Sequence, residues 1–286
     1  MAKNYQAELV GVLGTPVAEN PTGAMQEAAF AALGLNWRYL TMEVQPEQLA
    51  KAMDGVRAMG FRGLNLTIPH KVAVIPLLDQ LSREAELIGA VNTVRREGDL
   101  LIGENTDGRG FLRGLTEDAK VDPKGKYAVI LGAGGAARAI ATELILAGLS
   151  RLLIVNRSQS RGEELAADLV RKTGAKVDFL LWPQPALELT TDVDILINAT
   201  SIGLYPNVAA MPAVHLATAA KHTVVCDAVF NPAETALLKQ ARALGLPTLD
   251  GLSMLVYQGV IGFEIWTGQK APEKVMKETL IRELSA

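Results

Sequence analysis

Short, nearly continuous apolar runs alternate along the chain with longer stretches whose apolar residues recur at helical spacing. In the first third this pattern predicts strands over Glu8–Leu13, Trp37–Val44 and Phe61–Ile68, separated by helices over Thr22–Leu33, Pro46–Met59 and His70–Leu81. Strands alternating with helices of this length imply a mostly parallel sheet with helices on its faces. Two extended pieces, Ala90–Arg96 and Asp99–Glu104, flank Glu97-Gly98 and predict an antiparallel hairpin at an edge of that sheet. The pattern restarts with strands over Tyr127–Leu131, Arg151–Val155, Lys176–Leu181, Asp194–Ala199, Thr223–Ala228 and Leu246–Leu249, as in a doubly wound sheet. Two late helices, Ser253–Thr267 and Pro272–Leu284, follow the last strand and are expected to return to the first domain. The predicted fold class is therefore α/β with two domains. Residues 1–106 plus 251–286 form a discontinuous, mixed α/β substrate domain, and 107–250 form a Rossmann-type nucleotide-binding domain.

Composition narrows the setting. The 286 residues are 49% hydrophobic and 21% charged, as in ordinary globular proteins, and are enough for two packed cores. The net charge of −3 supplies no broad basic field, so nucleic acid is not an expected partner. The N-terminal stretch lacks a signal-peptide pattern and no apolar run is long enough to span a bilayer, so a cytoplasmic location and no membrane partner are expected. One cysteine, Cys226, excludes an internal disulfide and reads as a small core residue. The three histidines show no ligand spacing, and no metal is expected.

The sharpest local signal is Gly132-Ala133-Gly134-Gly135-Ala136-Ala137, placed between a predicted strand and a predicted helix. In that context glycines let the backbone approach a pyrophosphate, and the helix N-terminus supplies N–H donors. After the second strand an NAD site is expected to carry an acid for the ribose 2′-hydroxyl. Here the chain reads Asn156-Arg157-Ser158-Gln159-Ser160-Arg161. Two guanidiniums and a small hydroxyl suit a 2′-phosphate, so NADP is predicted over NAD; the bland alternative is two arginines facing solvent at a helix start. Asn198-Ala199-Thr200-Ser201-Ile202-Gly203 leaves the fourth strand where the nicotinamide should lie, unless its polar groups only cap a turn.

Candidate chemistry sits at strand exits. Lys71 follows the strand-ending Thr67-Ile68-Pro69-His70, and Asp107 follows Asn105-Thr106 where a helix starts. Asp107 reads either as an N-cap or as half of a proton-transfer pair with Lys71 for an alcohol–ketone interconversion. Asn92 leaves a neighbouring strand end, and Gln258 lies on the first late helix as a packing residue or a cleft residue.

Together these pieces resemble the shikimate dehydrogenase family. The resemblance runs through Asn65–Lys71, Gly89–Val94, Gly103–Gly108, Gly132–Ala137, Asn156–Arg161, Asn198–Ser201 and Gly251–Gln258, in the family's order and over nearly the whole chain. It implies that Lys71 and Asp107 are the catalytic pair and that Thr67, Asn92 and Gln258 bond the substrate ring hydroxyls. It implies NADP as cofactor, held by Gly132, Ala133, Gly134, Gly135, Ala136, Asn156, Arg157, Ser158, Arg161, Thr200 and Gly251. The implied reaction is the reversible NADPH-dependent reduction of 3-dehydroshikimate to shikimate in aromatic amino-acid biosynthesis, by a monomer or homodimer acting on a small cyclic hydroxy acid.

Two departures bear on the substrate. Where the family has Ser-x-Ser-Pro to hold the substrate carboxylate, this chain has Glu19-Asn20-Pro21-Thr22-Gly23. Where a tyrosine usually helps, Phe230 has no donor. Asn20 and Thr22 retain an amide and a hydroxyl for a carboxylate, whereas Glu19 opposes one. A lost hydrogen bond to a charged group costs roughly 1.5–3 kcal/mol, so quinate or another shikimate analogue is the alternative substrate. Two rival readings carry less: a glutamyl-tRNA reductase needs a nucleophilic cysteine in its first domain, and a non-catalytic NADPH sensor has no use for the Lys71 and Asp107 pair.

Overall fold

The computed structural model describes residues 5–285, so part of the N-terminal stretch read for a signal peptide lies outside the described residues. By its internal packing the chain divides into two units, Met1–Thr106 with Gln258–Ala286, and Asp107–Tyr257.

The first unit contains β1 (Glu8–Gly14), α1 (Thr22–Ala32), β2 (Trp37–Glu43), α2 (Leu49–Ala58), β3 (Gly63–Leu66), α3 (His70–Ala73), β4 (Gln80–Leu81), α4 (Arg83–Ile88), β5 (Thr93–Glu97) and β6 (Leu100–Glu104). Its six-stranded sheet runs β2-β1-β3-β5-β6-β4. β1 pairs in parallel with β2 and β3, and β5 runs antiparallel to β3 and β6. Leu13, Met53, Phe61, Leu64 and Leu101 pack in one buried cluster of this unit.

Three expectations change here. The helix predicted over His70–Leu81 stops at Ala73, and a short 3₁₀ turn at Ile75–Leu77 follows. Pro76 is the physical reason, because it has no N–H to continue the helical ladder. The chain then contributes β4, so the edge beyond the hairpin is β4. In the hairpin Glu97 pairs with Leu100, which makes Gly98-Asp99 the turn rather than Glu97-Gly98. Gly98 takes φ 59, the positive value that a two-residue hairpin turn requires. The helix α4 has no apolar period long enough to be predicted, yet it is well capped. Ser82 Oγ accepts from Ala85 N, and Gly89 closes the other end in the left-handed conformation.

The second unit contains α5 (Asp107–Glu117), β7 (Tyr127–Leu131), α6 (Gly135–Leu146), β8 (Arg151–Asn156), α7 (Gln159–Thr173), β9 (Val177–Leu181), β10 (Leu187–Glu188), β11 (Ile195–Asn198), β12 (Val214–His215), β13 (Val224–Asp227), α8 (Ala236–Ala243) and β14 (Thr248–Leu249). Its main sheet, β14-β13-β11-β7-β8-β9, is parallel throughout. The central strands β7, β11 and β13 are buried at every position, which is why they read as continuous apolar runs. Alternate residues of β7 serve opposite faces: Ala128 and Ile130 join a cluster with Ile140 and Leu144, and Val129 and Leu131 join one with Leu237 and Leu238. The two-stranded β10-β12 sheet and α8 went unread in the sequence. Gly108 lets α5 lie against α6, since a Cβ there would sit 2.3 Å from the Ala139 carbonyl oxygen.

Two further helices complete the chain, α9 (Gly251–Thr267) and α10 (Glu273–Ser285). The division between units falls inside α9, between Tyr257 and Gln258. Within the first unit, Gln26 Nε2 donates to the Gly259 carbonyl at 2.8 Å and Trp266 Nε1 donates to the Val94 carbonyl at 2.9 Å. No helix among the described residues is long and apolar enough to cross a membrane.

Candidate active site

In the first unit the polar residues of interest stand at the exits of β3 and the entry of β5. Thr67, directly after β3, donates its N–H to the Leu13 carbonyl at 3.0 Å and accepts from His70 N at 2.8 Å, so the chain turns sharply into α3. Lys71 is half-buried on that helix, and its carbonyl accepts from Val91 N at 2.8 Å. This bond ties the lysine's backbone to the segment that carries Asn92. His70 is fully buried, with Nε2 2.7 Å from the Val44 carbonyl; Nε2 therefore carries the proton and donates. Its role is to anchor α3, in keeping with its having no assigned part in the chemistry.

Asn92 is buried and held from two sides by one residue. Its Oδ1 accepts from Thr106 N at 2.7 Å, and its Nδ2 donates to Thr106 Oγ1 at 3.0 Å. Behind it, Tyr39 OH donates to Asn65 Oδ1 at 2.8 Å, and Asn65 Nδ2 reaches the Asn92 carbonyl and Thr93 Oγ1. Burial pushes the Tyr39 phenol above its ordinary range, so it stays a neutral donor. A satisfied buried ladder of this kind holds side-chain positions rigidly.

The segment expected to hold a carboxylate leads into the start of α1. Asn20 Oδ1 accepts from Thr22 N at 3.0 Å, which commits that oxygen to the start of α1, and Thr22 itself is buried. Glu19 is exposed. Gln258 is buried on α9.

In the second unit a cavity of about 620 Å³ opens at the carboxyl ends of the strands. Gly132, Ala133, Gly134, Asn156, Arg157, Arg161 and Thr200 all line it. Gly132 has φ 111, and a Cβ on it would come within 2.9 Å of the Ala199 carbonyl oxygen, so only glycine keeps this turn open. At the end of β8, Asn156 turns its Nδ2 to the Ser158 carbonyl at 2.9 Å, and no acid follows. The arginines stay on the cavity wall, where they suit a phosphate dianion. The residues present thus fit a dinucleotide bearing a 2′-phosphate. Gly135, Ala136 and Ser158 stand at the entries of α6 and α7. Gly251 is a close-packing position: a Cβ there would meet the Val229 carbonyl oxygen at 2.4 Å.

Thr200 owes its orientation to Asn198 and Asp227. Thr200 Oγ1 donates to Asn198 Oδ1 at 2.7 Å, and Asn198 Nδ2 donates to Asp227 Oδ1 at 2.9 Å. Asp227 also accepts from Val229 N and Thr235 Oγ1. Burial outweighs these donors and pushes the Asp227 carboxyl up to about 6. Sequence reasoning missed this network and also the loop residues Trp182, Gln184, Met211 and Ala213 on the cavity wall. They carry no motif; only the sheet order brings them to the same rim. Cys226 is fully buried in β13, and burial raises its thiol above the ordinary range, which suits a core residue.

Comparison with known proteins places this architecture. The family model for the shikimate dehydrogenase substrate binding domain matches residues 12–94, that for shikimate/quinate 5-dehydrogenase matches 115–233, and that for the shikimate 5′-dehydrogenase C-terminal domain matches 251–281. A curated shikimate dehydrogenase (NADP+) of Methanopyrus kandleri is 45% identical over 98% of this chain and 97% of its own length. Among solved structures, a ligand-free 5-ketofructose reductase of Gluconobacter sp. strain CHM43 is 49% identical, with a TM-score of 0.93 over 98% of this chain and 99% of that one. A shikimate dehydrogenase in complex with NADP+ is 40% identical, with a TM-score of 0.90 over 100% of this chain and 98% of that one. With substrate-domain, nucleotide-domain and C-terminal segments all matched in order, the chain belongs to the shikimate dehydrogenase family of NADP-dependent oxidoreductases.

Proposed function

We propose that this chain interconverts a secondary alcohol and a ketone on a small polyhydroxylated ring, reducing 3-dehydroshikimate to shikimate, with Lys71 and Asp107 as the proton-transfer pair. The observation that carries the cofactor half is the acid-free, two-arginine end of β8 above a glycine-rich turn. Near-full-length similarity to curated NADP-dependent shikimate dehydrogenases supports the reaction. Bound NADPH supplies the hydride. The Lys71 ammonium donates a proton to the oxygen on which charge develops, and the Asp107 carboxylate orients that ammonium and supports its charge. Thr67, Asn92 and Gln258 hydrogen-bond the substrate hydroxyls, with Asn92 pre-oriented by Thr106. Residues 1–106 and 251–286 bind substrate, residues 107–250 bind NADP, and Gly135, Ala136, Ser158 and Gly251 complete the cofactor cradle. The enzyme works in the cytoplasm as a monomer or homodimer.

A Lys71→Ala variant tests the pair. It is expected to bind NADPH within about twofold of the parent while kcat falls by about 10²- to 10⁴-fold, the range of a lost general acid. Undiminished turnover would remove Lys71 from the chemistry.

A second reading concerns the substrate alone. Glu19 and Phe230 replace groups suited to a carboxylate, and the 5-ketofructose reductase neighbour is named for an uncharged ketose. These features favour an uncharged polyhydroxy ketone turned over by the same pair.

A further inference from the structure

We propose that Trp182 is the stacking platform for the adenine ring of the dinucleotide, with Met211 as its apolar neighbour. The inference rests on the reading of the second unit as an NADP site. The glycine-rich turn after β7 marks where the phosphates lie, and Ala199–Ile202 after β11 lie on one side of it. The other half of a dinucleotide must then run over β8 and β9. Trp182 follows β9 directly. Its N–H donates to the Asn156 carbonyl at 3.0 Å, so it stands beside the residue that precedes Arg157.

The indole is held by its polar edge. Nε1 donates to the Ala213 carbonyl at 2.9 Å, and the same carbonyl accepts from Leu187 N at 2.9 Å. The ring's one donor is therefore satisfied, and the half-buried indole contributes to the wall that also holds Arg157, Arg161 and Met211. Trp182 and Met211 both pack on the buried cluster that includes Leu131, Val155 and Leu187, and both also line the cavity, so a braced aromatic ring stands beside the phosphate-recognising arginines. A purine gains from a flat π-face regardless of hydrogen-bond pattern.

The test uses the full chain and adenosine 2′,5′-bisphosphate, which carries the adenine and the 2′-phosphate without the nicotinamide. Calorimetric Kd values are compared for the parent, Trp182→Leu and Trp182→Phe. Both substitutions delete the bond to Ala213, but only phenylalanine keeps a stacking face. The expected result is a Kd about 10- to 100-fold weaker in Trp182→Leu and within about threefold of the parent in Trp182→Phe. With NADPH, KM rises in Trp182→Leu while kcat at saturation is unchanged. Equal weakening in both variants would mean that the indole only braces the loop, and parent-like binding by Trp182→Leu would mean that it does neither; either result overturns the proposal and leaves the NADP reading intact. Failure of the parent itself to bind the bisphosphate and NADPH overturns both.

Discussion

Asp227 ends β13 with its carboxylate surrounded by the Asn198 amide, the Val229 N–H and the Thr235 hydroxyl. A buried acid whose folded-state value is raised from 3.8 to about 6 binds its proton more tightly in the native state than in the unfolded chain. That contribution is complete below the unfolded value and is lost as pH rises through the folded one, so stability falls across that window. In Asp227→Asn the amide oxygen still accepts from Asn198 and Val229, and the charge is gone. Denaturant titrations at a series of pH values should show that the parent loses roughly 2–3 kcal/mol between about pH 4 and pH 6 beyond what the variant loses. Parallel profiles for the two proteins would show that the carboxyl titrates in the folded protein where it does in the unfolded chain. The residue-level signals that were legible beforehand are those with a motif, the glycine-rich turn and Arg157 with Arg161. Asp227 and Trp182 were not, because a lone acid or a lone tryptophan has meaning only through what surrounds it.

At the level of elements, Gly63 in β3 shows how closely the first unit is assembled. A Cβ there would lie 2.2 Å from Trp266 Nε1 and 2.3 Å from the Val94 carbonyl oxygen, the two atoms of one hydrogen bond. Gly63→Ala must therefore break that bond or push the strand and α9 apart. The expected cost is about 2–4 kcal/mol, combining overpacking with an unpaired buried carbonyl. Lower thermal stability together with an altered Trp266 near-ultraviolet signal would confirm it, and an unshifted melting curve would refute it. Most helices and strands were readable from their period. Those that were not are short or interrupted: α3 cut by Pro76, α4 set by its caps, and β4, β10 and β12 too short to show alternation. Gly63 itself looked like an ordinary strand residue, since its reason lies in a tryptophan far along the chain.

For the whole molecule, the open choice is between substrates that share one reaction. A cyclic hydroxy acid needs donors at its carboxylate, whereas an uncharged ketose does not and is indifferent to Glu19. Initial rates with NADP(H) on shikimate, quinate and 5-ketofructose decide it. If the residues at 19–23 and 230 govern specificity, kcat/KM for shikimate falls about 10- to 100-fold below that for the uncharged ketose, the factor set by one lost bond to a charge. A clear preference for shikimate would return this chain to the main reaction of its curated relatives.

The sequence by itself determined what depends on neighbours along the chain: the alternation of strands and helices, the strand–glycine turn–helix unit, the absence of an acid after β8, and hence the family and its cofactor. Those features are local, since backbone periodicity and close approach to a phosphate need only a few consecutive residues. Tertiary structure decided which side chains share a wall or a hydrogen bond. It placed Trp182 beside the arginines and Asp227 behind Thr200, because burial and pairing across strands depend on sheet order, which no short stretch encodes.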